Sequence, residues 1–126
     1  MTHRIFRLVS SLFLALAMIA VSSAPQTARA AGPWYVATTG DDNNDCLSTN
    51  TPCSTINGAI GKATDGDTIN VAMGTYIGTN PQVVLINKAI TLIGGWNSGF
   101  TSQIGLSEID GQNVLPTVYI NGAGDA

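Results

Sequence analysis

The sequence predicts an all-β domain preceded by one short helix. Short apolar or alternating segments end at glycine or asparagine, turn residues rather than helices separate them, and a single helical periodicity comes before them. Strands joined by turns form either a sandwich or a solenoid, in which successive strands wind around one axis. Periodicity alone does not distinguish these two folds.

Residues 1–30 are set apart from this domain because they have the features of a secretory signal peptide. Basic residues precede an uncharged run of fourteen residues, 8–21, which is shorter than the roughly 20 residues that span a bilayer. We predict cleavage after Ala30 and a secreted or cell-surface protein. The alternatives are cleavage after Ala24 and a retained membrane anchor.

The composition of the remaining 96 residues excludes several kinds of chemistry. Two lysines stand against eight acidic residues, which gives a net charge of −6 and disfavours nucleic acid and anionic membrane surfaces as partners. His3 and all the arginines lie in residues 1–30, so the mature chain has neither residue type. A Ser-His-Asp or Cys-His nucleophile, a His-ligated zinc and an arginine clamp are therefore excluded within this chain.

Residues 31–67 begin with a β-prone run, 34–38, and a polar segment, 40–45, that must form an exposed loop. Four side chains of a type suited to calcium lie in this loop: Asp41, Asp42, Asn43 and Asp45. Their spacing does not complete the twelve-residue EF-hand pattern, so a solvated turn is the alternative to a calcium site. We predict no other cofactor.

The same region contains the only two cysteines, Cys46 and Cys53. Cysteines of an exported chain are more often paired than free, so we predict a disulfide that closes an eight-residue loop. A zinc site would need further ligands, and a catalytic thiol would need a histidine to activate it. Both alternatives are therefore weaker than the disulfide.

A helical period follows the cysteines and predicts one short helix. Its apolar face has the i, i+3, i+4, i+7 spacing and comprises Ile56, Ala59, Ile60 and Ala63. Ser54 is the predicted N-cap, and Lys62 is placed to interact favourably with the C-terminal dipole. Because the face is narrow and built from small residues, we expect the helix to lie against the end of a sheet.

Residues 68–126 contain most of the predicted strands. A turn at Gly66 and Asp67 leads into an alternating strand, 68–71, which Gly74 is expected to close. The later strand segments are 83–86, 88–93 before Gly94-Gly95, the residues around Ile109, and 117–120.

The order of the motifs is more specific than any one of them. It comprises segments 35–41, 51–56, 66–69, 74–76, 90–96 and 109–111. In this order they resemble the start of bacterial secreted right-handed parallel β-helix proteins of the pectin-lyase-like superfamily. The resemblance implies a right-handed parallel β-helix, with residues 31–67 as the N-terminal cap and residues 68–126 as the first coils. About three or more coils make a stable stack, so we expect a fragment or a chain whose last coil a partner covers.

The catalytic residues of that family do not carry over. Its lyases and esterases rely on an arginine, and its polygalacturonases use clustered aspartates. The only acidic residues comparable with such a cluster are Glu108 and Asp110. They are two residues apart and share one face of a strand, at a separation that suits the two carboxylates of a glycosidase. Asp110-Gly111 is equally typical of a turn that ends a strand. We predict no catalytic residue.

The resemblance therefore favours a non-catalytic N-terminal part of an extracellular or cell-surface β-helix protein that binds glycans or surface proteins. One alternative is the N-terminal fragment of a pectin-lyase-like lyase, esterase or hydrolase with its active site outside this chain. Another is a small secreted calcium-dependent binding module. Four aromatic side chains could stack on sugars but are predicted to belong to the core or cap: Trp34, Tyr76, Trp96 and Phe100.

Overall fold

The computed structural model describes residues 32–78 and 81–121, which form mostly strands with one short helix. The elements are β1 (Pro33–Val36), α1 (Ile56–Lys62), β2 (Thr68–Ala72), β3 (Gly74–Ile77), β4 (Val84–Ile86), β5 (Thr91–Trp96), β6 (Ser107–Asp110) and β7 (Val118–Ile120). The predicted signal peptide and its cleavage site lie outside the described residues. Within the described residues, no helix has the length and hydropathy needed to cross a membrane.

The strands form three small sheets, and every pair of strands in them is parallel. The sheets have the orders β1-β2-β5, β3-β6 and β4-β7. Each of them takes one strand from β2–β4, which we call the first rung, and one from β5–β7, which we call the second rung. Hairpins would have produced antiparallel pairs, so the parallel pairing expected from the resemblance is confirmed.

The core lies between α1 and the first rung. Its fully buried side chains include Val36 on β1, Ile69 on β2 and Val84 on β4. The predicted helix face is confirmed, because all four of its residues are buried: Ile56, Ala59, Ile60 and Ala63. The helix therefore covers one end of the strand stack, as its narrow apolar face indicates.

The start of α1 differs from the prediction by one residue. Thr55, not Ser54, is the N-cap, and its side chain accepts a hydrogen bond from the backbone nitrogen of Gly58 at 2.9 Å. The backbone nitrogen of Ser54 instead donates to the carboxylate of Asp42 at 2.9 Å. A tertiary contact thus determines where the helix begins.

The end of α1 is bound by a lysine that is distant in sequence. Lys62 does lie in the last turn, but its ammonium group donates to the backbone oxygen of Asp42 at 2.7 Å. The ammonium group of Lys88 donates to the backbone oxygens of Ile60, at 2.8 Å, and Ala63, at 2.6 Å. Lys88 therefore supplies the donors that the helix end needs.

The observed strand limits differ from the predicted ones at two glycines. Gly74 begins β3 rather than closing β2, because its φ of +144° turns the chain into a new strand. A Cβ at Gly74 would lie 2.8 Å from the methyl carbon of Thr38, so a larger residue does not fit. The later strand, expected at 88–93, runs from Thr91 to Trp96 and passes through Gly95 with a bulge at a φ of +81°.

The outer edges of two sheets are covered on the helix side. The backbones of Cys46 and Cys53 bond to Tyr35 on β1. The side-chain amide of Asn57 bonds to the backbone of Leu85 on β4 at 2.8 Å. On the opposite side, β5, β6 and β7 have no further strand partner among the described residues. We call that side of the stack the open end.

Candidate functional site

The predicted disulfide joins Cys46 to Cys53, whose Cα atoms are 5.1 Å apart. Both residues are fully buried. The backbone oxygen of Cys46 accepts from the nitrogen of Tyr35, and the backbone nitrogen of Cys53 donates to the oxygen of Tyr35, each at 2.9 Å. The disulfide loop therefore has a structural role, since it covers an edge of β1 that would otherwise be unpaired.

Asp42 connects the polar loop to the start of the helix. One carboxylate oxygen accepts from the backbone nitrogens of Ser54 and Thr55, and the other accepts from the Thr55 hydroxyl at 2.7 Å. Burial raises the pKa of Asp42, but the hydrogen bonds from Thr55 and Ser54 outweigh burial and hold the pKa below its ordinary value. A Cβ at Gly58 would collide with this carboxylate, which explains a glycine inside the helix.

The other three predicted calcium ligands also have partners of their own. Asp41 accepts from the backbone and the side chain of Asn43, both at 2.8 Å. Asp45 accepts from the Thr51 hydroxyl at 2.7 Å and from the backbone of Leu47, and these bonds lower its pKa. Within 32–78 and 81–121, no group of three or more His, Cys, Asp or Glu side chains is placed to hold a metal ion. These hydrogen bonds hold the loop in a defined turn, and the calcium site stays a prediction.

Asp67 is a buried carboxylate that the sequence analysis placed in a turn. It is fully buried, and one of its oxygens accepts from the indole nitrogen of Trp34 at 2.8 Å. The same oxygen accepts from the backbone nitrogen of Thr64 at 2.8 Å and from its hydroxyl at 3.1 Å. Asp67 thus ties β1 to the turn that precedes β2, and no local pattern indicated this role.

The four aromatic candidates are not arranged as a platform for sugars. Trp34 and Tyr76 are 7% and 5% exposed and belong to the core, as predicted. Burial raises the pKa of Tyr76 to about 12. Trp96 and Phe100 are half-buried, and the Phe100 ring meets Tyr35 edge-on at a centroid distance of 4.9 Å. The Trp96 indole nitrogen is buried without a hydrogen-bond partner among the described residues.

A cleft of about 220 Å³ lies between the start of α1 and β3. Hydroxyl groups line it from both sides, namely those of Thr38, Ser54, Thr55 and Thr75. The aliphatic side chains of Ile56 and Ile77 also line it. Among the described residues, no charged side chain lines the cleft, so the chemistry that they offer is that of hydroxyl and aliphatic groups together.

The hydroxyls of this cleft differ in their availability. Thr55 already donates to Asp42 and accepts from Gly58. The side chain of Ser54 also bonds to the carboxylate of Asp42. Within the described part of the chain, the hydroxyl of Thr38 has no hydrogen-bond partner. The Thr38 hydroxyl can therefore donate to and accept from a ligand without breaking an existing bond.

The backbone of β3 adds further polar groups to the cleft. The nitrogen of Gly74 donates to the oxygen of Leu106, which lies on the β6 side. Successive residues of a strand direct their backbone groups to alternate edges, so Thr75 and Ile77 direct theirs to the opposite edge. That edge of β3 has no strand partner in the described residues, and both residues line the cleft.

The acid pair on β6 lies directly below the cleft. Glu108 and Asp110 are in register with Thr75 and Ile77 of β3, so they share a face as predicted. An oxygen of Glu108 accepts from the Thr75 hydroxyl at 3.3 Å. Asp110 instead accepts from the backbone nitrogen of Gln112 at 2.7 Å. This bond belongs to the turn that ends β6, which Asp110-Gly111 predicts. Only Glu108 is therefore linked to the cleft.

Comparison with protein-family models, with curated proteins and with solved structures gave no match for this chain. The functional interpretation therefore depends on the residues of the cleft and on the arrangement of the strands. The disulfide is compatible with the predicted export, because disulfides persist in oxidising compartments.

Proposed function

We propose that this chain is the N-terminal cap and first two coils of a secreted or cell-surface right-handed parallel β-helix protein, and that it is a non-catalytic binding module. The supporting observation is that each of the three parallel sheets takes one strand from each rung. A chain that winds around one axis produces this pattern. Nearly all crossover connections between parallel strands are right-handed, which supports the proposed hand.

The ligand class that best fits the cleft is a neutral glycan. The free hydroxyl of Thr38 and the backbone groups of β3 match the donors and acceptors of sugar hydroxyls. The aliphatic side chains of Ile56 and Ile77 match the apolar face of a sugar ring. The predicted mature chain has a net charge of −6, which repels acidic glycans. It also has no arginine that could bind a carboxylate.

Glycan binding is tested by titrating the exported protein with soluble neutral polysaccharides, such as galactan and arabinoxylan, and with polygalacturonate. We expect heat of binding with a neutral polymer and none with the acidic polymer. Thr38→Val removes the free hydroxyl of the cleft and should weaken binding several-fold. Thr39→Val is the matched control, because Thr39 is exposed but does not line the cleft. Tighter binding of polygalacturonate, or equal loss with Thr39→Val, would contradict the proposal.

A second candidate function is glycan cleavage, and the bond between Glu108 and the cleft residue Thr75 is the observation in its favour. The assay is incubation of the exported protein with the same polysaccharides, followed by measurement of reducing and unsaturated ends. We expect no release. Release that disappears in Glu108→Gln but persists in Asp110→Asn would replace the non-catalytic proposal with a catalytic one.

A further inference from the structure

A second depression in the surface lies between α1 and β4, and we call it the α1–β4 groove. Its volume is about 460 Å³. This volume lies within the range of roughly 300–1,000 Å³ that is typical of ligand sites. The helix contributes Asn57, Ile60 and Gly61 to one wall. The segment around β4 contributes Gln82, Leu85 and Asn87 to the other wall.

The α1–β4 groove adjoins the cleft. Ile56 and Val83 line the cleft. Their chain neighbours, Asn57 and Gln82, line the groove. The side-chain amide of Asn57 donates to the backbone oxygen of Val83 at 3.0 Å, which fixes α1 to the β4 segment where the cleft and the groove meet. Because α1 has seven residues, it is about 10 Å long, so the cleft and the groove together follow a path longer than one sugar ring.

Two side-chain amides of the groove are available to a ligand. Among the described residues, the side chains of Gln82 and Asn87 have no hydrogen-bond partner. Gln82 is half-buried and Asn87 is exposed. Each amide offers two donor hydrogens and one acceptor oxygen, which match neighbouring hydroxyls of a sugar. Pro81 and Leu85 add apolar surface against which a sugar ring can lie.

The charge of the groove favours a neutral ligand. Lys88 lines the groove, but its ammonium group donates to three backbone oxygens at the end of α1. All three of its hydrogens are therefore in use, and the partial negative charge of the helix C-terminus balances part of its positive charge. No acidic side chain lines the groove in the described part of the chain. The groove thus shares the preference of the cleft for uncharged partners.

The strand beside the groove does not offer a free edge to a peptide. The backbone nitrogen of Leu85 donates to the side-chain oxygen of Asn57 at 2.8 Å, and the backbone oxygen of Val83 accepts from the side-chain nitrogen of the same residue. A peptide that extends a sheet needs such backbone groups to be free. Side chains must therefore recognise the ligand of this groove, which favours a glycan over an extended peptide.

We propose that the α1–β4 groove is a second sugar subsite, and that one neutral polysaccharide chain occupies the cleft and the groove together. The cleft binds one sugar unit, and the amides of Gln82 and Asn87 bind hydroxyls of the units that follow it. This inference rests on the proposed binding of a neutral glycan in the cleft. It adds that the ligand is a polymer of several units rather than a single sugar.

The first test is calorimetric titration of the protein with neutral oligosaccharides of increasing length, from monosaccharides to hexasaccharides, prepared from galactan and arabinoxylan. We expect the affinity to rise at least ten-fold from monosaccharide to tetrasaccharide and then to stay constant. The side-chain amide resonances of Gln82 and Asn87 should shift with the tetrasaccharide and not with the monosaccharide. An affinity that does not depend on length overturns the second subsite and leaves the cleft proposal standing. Absence of binding at every length overturns both proposals.

Amide variants distinguish the groove from the cleft. Gln82→Ala and Asn87→Ala should each weaken tetrasaccharide binding several-fold and leave monosaccharide binding unchanged. Asn50→Ala is the matched control, because Asn50 is also exposed but lines neither the cleft nor the groove. Thr38→Val should weaken the binding of both ligands. Equal tetrasaccharide affinities of the Gln82→Ala and Asn50→Ala variants would overturn the second subsite.

A substitution that fills the groove provides a second, independent test. Gly61 is exposed on the helix wall, and a Cβ there would meet no atom within 4 Å, so Gly61→Leu fits the fold. Leucine also favours a helix more than glycine does, and the melting temperature should therefore not fall. The new side chain should abolish the gain in affinity with length and leave monosaccharide binding intact. Parental tetrasaccharide affinity in the folded Gly61→Leu variant would contradict the proposed subsite.

Discussion

The two rungs have equivalent side chains at equivalent positions, yet they are buried to different extents. Ile69 of β2 is fully buried, and Leu92, directly in register with it on β5, is only partly buried. Val84 of β4 is fully buried, whereas Val118, in register with it on β7, is 41% exposed. Burial here depends on whether a further layer covers the residue, and not on the type of side chain.

This difference determines where the stability of the chain resides. A fully buried aliphatic side chain contributes roughly 1.5–3 kcal/mol relative to an exposed one, so the covered first rung should dominate the free energy of unfolding. The second rung has fewer buried contacts and should open locally at lower free energy.

The largest effect is expected from truncating matched core positions. Ile69→Ala leaves a cavity in a closed core and should lower the free energy of unfolding by about 4 kcal/mol. Leu92→Ala in the second rung should cost about 1.5 kcal/mol, because its site is already partly open to solvent. Chemical denaturation of both variants measures the difference. Equal losses would show that the second rung is covered as well as the first.

Removal of the buried carboxylate of Asp67 should have the next largest effect. Asp67→Ala leaves the indole nitrogen of Trp34 and the backbone nitrogen of Thr64 without their acceptor, at a cost of about 3 kcal/mol. Asp65→Ala is the control, since Asp65 is exposed and accepts one backbone bond, from Ala89. Thermal unfolding should separate the two variants clearly. A similar melting temperature for both would contradict the role assigned to Asp67.

A smaller effect is expected from the lysine at the helix end. Lys88→Met keeps the aliphatic stem but removes the donors to the oxygens of Ile60 and Ala63, at a cost of about 1.5 kcal/mol. Lys62→Met loses a single exposed bond, to Asp42, and should cost less than half as much. Denaturant titration ranks the two variants. The reverse ranking would return the capping role to Lys62, where the sequence analysis placed it.

Tyr76→Phe should have the smallest effect on the free energy of unfolding at neutral pH. At high pH its effect on the pH dependence of stability should be clear. The pKa of Tyr76 is raised by burial to about 12, so the folded chain keeps this proton at pH values where an unfolded chain, with an ordinary pKa near 10, loses it. The resulting stability is complete below pH 10 and is lost as the pH rises toward 12. Urea titrations at pH 9 and pH 11 should show a larger loss in the parent than in Tyr76→Phe. Identical losses would indicate that Tyr76 is accessible to solvent.

Local patterns were enough to predict the helix face and most strand positions. The alternation of Ile69 and Val71 and the helical spacing of Ile56 and Ala59 each involve neighbours on one element, so the pattern and the burial agree. The disulfide was also predictable, because Cys46 and Cys53 have no other partner in the chain. A helix or strand that buries one face can therefore be predicted from the spacing of its own apolar residues.

Contacts between distant segments were not predictable in the same way. Asp67 bonds to Trp34, 33 residues away, and Lys88 bonds to a helix more than 20 residues before it. The turn at Gly74 depends on the approach of Thr38 from another segment. The cleft has the same origin, because Ser54 and Thr75 come together only when the cap lies on β3. The spacing of polar residues and glycines along the chain does not indicate which distant residues they contact.

The central claim is that the second rung repeats the first in parallel register. Nuclear Overhauser effects between backbone protons of the isotope-labelled protein test this claim most directly. We predict contacts from Ile69 to Leu92, from Tyr76 to Ile109 and from Val84 to Val118, with the strands running in the same direction. Contacts between strands that run in opposite directions, or pairing of β2 with β3 in a hairpin, would contradict the proposed architecture and the function built on it.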